Sequence, residues 1–161
     1  MKNLIIILVF GILFVGCGKK ETKQKKKELT LEEYMTSSWE TIYLKIEMAT
    51  FQNTENSSVF EDKFGPKANR IAQSTYNSDG TFTAWFVDRE GNDLGSTSVG
   101  NWNVKGDTLY VDFVYGGKDV KVGYHIERTE EGFKGVSKYD WDDDGENDDL
   151  LTMKTKKIQL Q

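Results

Sequence analysis

The chain has 161 residues, 21 of them Lys or Arg and 26 Asp or Glu, for a net charge of −5. That length suits one domain and is short for two, and a single cysteine excludes an intrachain disulfide. The charge is unevenly spread: residues 18–28 hold six lysines against two glutamates, while residues 29–161 hold 14 basic and 24 acidic side chains. An acidic body of this kind argues against nucleic acid as a partner, because its phosphates would be repelled.

At the N-terminus, the terminal amine and Lys2 precede an apolar run from Leu4 to Val15, and Gly16 and Cys17 follow. The run is too short for a bilayer span, which takes about 20 apolar residues, and it has the layout of a cleaved export signal. Phe14-Val15-Gly16-Cys17 resembles a bacterial lipobox, with Phe14 where leucine is usual. The resemblance implies cleavage before Cys17 by signal peptidase II and a diacylglycerol on the Cys17 thiol. Residues 1–16 are therefore expected to be a lipoprotein signal peptide, and residues 17–28 the acylated cysteine with a lysine-rich tether. Two acyl chains anchor a protein stably where one binds only marginally. The expected location is the bacterial cell envelope, lipid-anchored and facing the periplasm or the cell surface. Extended, the lysine tract reaches about 40 Å; it reads as a solvated spacer or as a basic strip lying on anionic headgroups.

The rest of the chain, residues 29–161, reads as one β-domain. Thr30-Leu31-Glu32-Glu33 has capping-box spacing and predicts a short helix from Leu31 to about Ser37. Trp39 then opens a strand in which Ile42, Leu44, Ile46 and Met48 alternate with polar residues. Seven further period-two runs follow. Their inward sets begin at Ala72, Phe82, Gly100, Leu109, Val120, Phe133 and Leu151, and most of the breaks between them are glycine-bearing turns. Eight sequential strands with tight turns and no intervening helices indicate an antiparallel meander. Closing the meander removes both exposed edges, so the expected fold is all-β, an eight-stranded antiparallel up-and-down barrel with a short N-terminal helix.

The short helix, Trp39 near the start of strand one, the long first connection, and then Asp79-Gly80-Thr81-Phe82, Gly100-Asn101-Trp102 and Gly106-Asp107-Thr108-Leu109 are together similar to the lipocalin-like domains of bacterial lipoproteins. The similarity spans Thr30 to Ile158, with Ser37 standing where lipocalins usually carry glycine. It implies that the connection from Gln52 to Asn69, which carries Phe60 and Phe64, covers the open end of the barrel; the sequence reads equally as aromatic plugs in the core.

An eight-stranded barrel is just wide enough to be filled or to hold one small ligand. If hollow, Phe82, Phe86, Trp102, Phe113, Tyr115 and Tyr124 would line the chamber, with Phe60 and Phe64 at its mouth, and the ligand would be small and apolar or amphipathic. If filled, the loops would be left to grip a protein partner, making the chain an interaction or inhibitory lipoprotein.

Asp140-Trp141-Asp142-Asp143-Asp144-Gly145-Glu146-Asn147-Asp148 carries carboxylates at positions one, three, five and nine and glycine at six, as in the first part of an oxygen-ligand calcium loop. The candidate ligands to Ca2+ are Asp140, Asp142, Asp144 and Asp148. Leu151 occupies position twelve, where such a loop needs a bidentate glutamate, so the segment reads also as an acidic turn held by Asx-type hydrogen bonds. With the thiol committed to lipid and the sole histidine, His125, on the outward phase, neither a Ser-His-Asp set nor a multi-histidine metal centre can be assembled. No enzymatic activity is expected.

Overall fold

The computed structural model describes residues 28–52 and 54–160. Thr30 caps a five-residue helix, α1 (Leu31–Met35): its hydroxyl accepts from the Glu33 amide at 3.1 Å and the Glu33 carboxylate accepts from the Thr30 amide at 2.8 Å. The helix stops two residues sooner than its pattern suggests, because Ser37 already pairs with Tyr76 in the sheet.

Nine antiparallel strands follow: β1 (Ser37–Met48), β2 (Ser58–Asp62), β3 (Ile71–Tyr76), β4 (Thr81–Val87), β5 (Ser98–Lys105), β6 (Thr108–Tyr115), β7 (Lys118–Arg128), β8 (Phe133–Tyr139) and β9 (Asp149–Ile158). The order β1-β3-β4-β5-β6-β7-β8-β9 closes on itself through a ladder from Ser38↔Ile158 to Glu47↔Leu150, so eight strands form a barrel without free borders.

β2 is the element beyond the expected eight. β1 is twice as long as β3 and pairs with it only from Ser37 to Thr41, leaving Leu44 to Met48 an open edge that β2 occupies in a hairpin. The long first connection therefore extends the wall above β3.

A register shift between Thr41 and Tyr43 settles the phase of β1. Strict alternation cannot place both Trp39 and Leu44 inside, since they differ in parity. The bulge takes up one residue, and Trp39 and Thr41 below it share the inner face with Leu44 and Ile46 above it.

The two ends of the barrel differ. At the end where β1 begins, α1 lies against the packed core: Met35, Trp39 and Leu109 are fully buried and Phe133 nearly so. Trp39 donates its Nε1 hydrogen to the Met35 carbonyl at 3.1 Å, and Phe133 meets its ring edge-on at 4.9 Å. Each such large buried side chain contributes about 1.5–3 kcal/mol, which pins the helix as a stopper. The other end is ringed by loops. Among the described residues no helix is long and apolar enough to cross a membrane.

Candidate functional site

Inside the loop-ringed end lies a cavity of about 770 Å³. Leu44, Ile46, Ala84, Phe113, Leu151 and Met153 supply much of its apolar wall, and Tyr76, Val111 and Tyr124 lie deeper, toward the stoppered end. The β4–β5 ladder spans only Thr81↔Asn101 to Ala84↔Ser98. Above those pairs the wall parts, and Gly95, Ser96 and Thr97 border the cavity with polar groups.

Of the aromatic residues selected from the sequence, Phe82, Phe86, Phe113, Tyr115 and Tyr124 line this cavity. Trp102 does not: it is buried beneath, edge-on to Tyr76 at 5.5 Å, and donates its Nε1 hydrogen to the Asn77 carbonyl at 2.9 Å. Phe60 and Phe64 do not either. Phe60 is exposed on β2, Phe64 sits in the segment after it, and no described residue from Phe51 to Asn69 lines the cavity. Pairing of Ser58–Asp62 with the free edge of β1 takes up this connection in the wall, so it neither lids nor plugs the chamber.

Of the cavity residues outside that aromatic set, three continue the two-residue period of a strand. Arg70 precedes inward Ala72, Trp141 follows inward Tyr139, and Met153 follows inward Leu151. The Arg70 guanidinium lies over the Phe86 ring at 4.9 Å, with Asp62 at 3.6 Å.

Burial raises the pKa of the Tyr76 and Tyr124 hydroxyls well above their ordinary value, with Tyr76 and then Tyr139 adding to the effect at Tyr124. Both hydroxyls stay protonated at neutral pH and can donate to a ligand from the chamber wall.

The mouth loops are fastened to one another, which preforms the opening. Arg89 donates to the Ala68 and Gly65 carbonyls at 2.9 and 2.6 Å, tying the β4–β5 loop to the segment before β3. Thr50 donates to Asp144 Oδ2 at 2.8 Å and the Gln52 amide to Asp142 Oδ2 at 2.9 Å, tying the end of β1 to the acidic β8–β9 loop. Lys118 pairs with Asp143 across the same rim.

Within the acidic loop, the carboxylates of Asp140, Asp142 and Asp149 come within 4.8 Å of one another. Asp144 and Asp148, chosen by calcium-loop spacing, are not in that group. Asp144 turns toward other partners: its Oδ2 accepts from Thr50 and its Oδ1 from the Glu146 amide at 2.9 Å, as the oxygens of Asp140 and Asp142 also accept amide hydrogens. Asp149 takes its place because the inward phase of Leu151 and Met153 carries back to it, and it is 1% exposed. Burial pushes its carboxyl above the ordinary range, opposed by the Trp141 amide and reinforced by Asp142. Asx-type bonds also run through the loop: Asp140 accepts from the amides of Asp144 and Gly145, each at 3.0 Å.

His125 stands on the outer wall, 3.3 Å from Asp107 and away from the cavity. Cys17, the expected signal of residues 1–16 and most of the tether lie outside the described residues. No protein-family model, curated protein or solved structure matches the chain.

Proposed function

We propose that the chain is a lipid-anchored, lipocalin-like protein of the bacterial cell envelope that takes a small apolar or amphipathic molecule into the barrel mouth. The cavity carries this reading. Its volume falls within the roughly 300–1,000 Å³ of ligand pockets, and its aliphatic and aromatic wall with a few polar groups matches their make-up. The stoppered end supplies the stability, so the mouth end is free to stay unfilled. Arg70 at the rim offers a cation to the polar end of an amphipath, and the buried Tyr124 hydroxyl offers a donor below. Such a protein acts by binding, not catalysis: the sole histidine lies on the outer wall. The unfilled mouth favours this reading over a filled-core protein that grips a partner through its loops.

Retention outside the cytoplasm rests on Cys17 at the end of the apolar run. Replacing Cys17→Ala should release the protein from the membrane fraction, and continued retention would rule out acylation as the anchor.

The ligand reading is tested with anilinonaphthalene sulfonate, an amphipathic anion with an apolar body, titrated into the folded chain. Saturable fluorescence enhancement, displaced by long-chain amphipaths and weakened by Arg70→Gln, is expected. Non-saturating emission that amphipaths leave unchanged would overturn the reading.

A further inference from the structure

We propose that the β8–β9 loop is a binding site for a hard divalent cation of the calcium type, built on Asp140, Asp142 and Asp149. This departs from the Asp140, Asp142, Asp144 and Asp148 set selected by spacing, and it stands independently of the ligand cavity. The three carboxylates converge within 4.8 Å. The second observation concerns unsatisfied atoms. Asp149 is 1% exposed, and its Oδ1 is buried with no hydrogen-bond partner, although Oδ2 accepts from the Trp141 and Asp142 amides at 2.7 and 3.2 Å. Oδ1 of the adjacent Asp148 is likewise buried and unpartnered.

Buried polar atoms are almost always satisfied, and a carboxylate oxygen left without a donor is among the costlier exceptions. Here two such acceptors, with no donor near enough, belong to consecutive residues of one acidic loop. A cation held between Asp140, Asp142 and Asp149 supplies the partner that the buried Asp149 carboxylate lacks and cancels the repulsion of the three converging groups. Among the described residues the only basic side chain in an ion pair with this loop is Lys118, and it goes to Asp143.

The amide bonds that orient Asp140 and Asp142 do not use up their oxygens, each of which has two lone pairs. An all-oxygen set with no histidine or thiol selects calcium or magnesium over zinc or copper. Carboxylates that can each bind through one oxygen or two suit the variable geometry of calcium better than the strict octahedron of magnesium.

The full chain, stripped with chelator, is melted in millimolar calcium chloride and in sodium chloride of equal ionic strength. Calcium at about 100-fold its Kd should raise Tm by about 5 °C or more, and Asp142→Asn should abolish most of the shift. Terbium provides a readout that does not depend on the variant folding. Bound in this loop it should luminesce on tryptophan excitation, be displaced by calcium, and lose most of its emission in Trp141→Phe. An equal shift in sodium chloride, an undiminished shift in a folded Asp142→Asn, or the lack of any calcium-displaceable terbium signal in the native chain would each overturn the site.

Discussion

Filling the chamber from its own wall gives the sharpest test of the binding reading. Ala84 lies in the cavity wall on β4, between Ser74 of β3 and Ser98 of β5. Its small side chain is one reason the chamber is open. At the ~30 Å³ that a water occupies in the liquid, 770 Å³ has room for about 25 such groups. A loosely packed ligand of about 18 heavy atoms therefore fits. At ~0.3 kcal/mol per heavy atom such a ligand binds with about 5.5 kcal/mol, a Kd on the order of 100 µM. Ala84→Trp adds about nine heavy atoms, half the number such a ligand would place there, and so removes about 2.7 kcal/mol, roughly a 100-fold loss in affinity. Because the indole enters open space and not the packed end, the urea midpoint should hold or rise. Fluorescence titration with anilinonaphthalene sulfonate measures the first quantity and a denaturation curve the second. Undiminished affinity in a folded Ala84→Trp variant would refute the placement of the ligand in this chamber.

Gly100→Ala should be one of the most damaging small changes in the wall: a Cβ there would stand 2.0 Å from the Asp112 carbonyl oxygen and 2.7 Å from Phe113 Cα, both backbone atoms that cannot step aside. A loss of about 1–3 kcal/mol or more, read from the urea midpoint, is expected, and a neutral result would show that β5 and β6 separate easily. Alkaline stability follows from Tyr76 and Tyr124, whose pKa values burial raises above that of an unfolded tyrosine. Their contribution is fully present below pH about 10 and is lost as pH rises from there toward the folded-state values. Tyrosinate absorbance should therefore show these two titrating only with unfolding, and the double Phe variant should flatten the alkaline decline.

Much of the barrel was legible from period-two hydrophobicity. The Leu109, Val120 and Phe133 runs alternate without interruption; Val120 to Ile126 is buried on every inward member, while the other two are buried at Leu109, Val111, Phe133 and Ser137 and open toward the mouth, where Tyr115 is 55% exposed. The capping box likewise marks the start of α1 at Thr30. The site was legible only in part. The same alternation, carried one step further, reaches Arg70, Trp141 and Asp149, but turn-like composition at the strand ends masked it. Calcium-loop spacing pointed instead to Asp144 and Asp148, because spacing along a chain does not say which carboxylates a turn brings together.

The sequence by itself determined the class of fold and the chemical character of its inner wall, since alternation and turn residues act between near neighbours. Three things belonged to the tertiary structure alone. Closure was already expected from the meander, but the register in which β1 meets β9 joins residues more than a hundred positions apart. The bulge at Thr41 and Tyr43 reconciles Trp39 with Leu44, and α1 stoppers one end while the other stays hollow. Each depends on how volumes fill an enclosed space, and no local pattern records that sum.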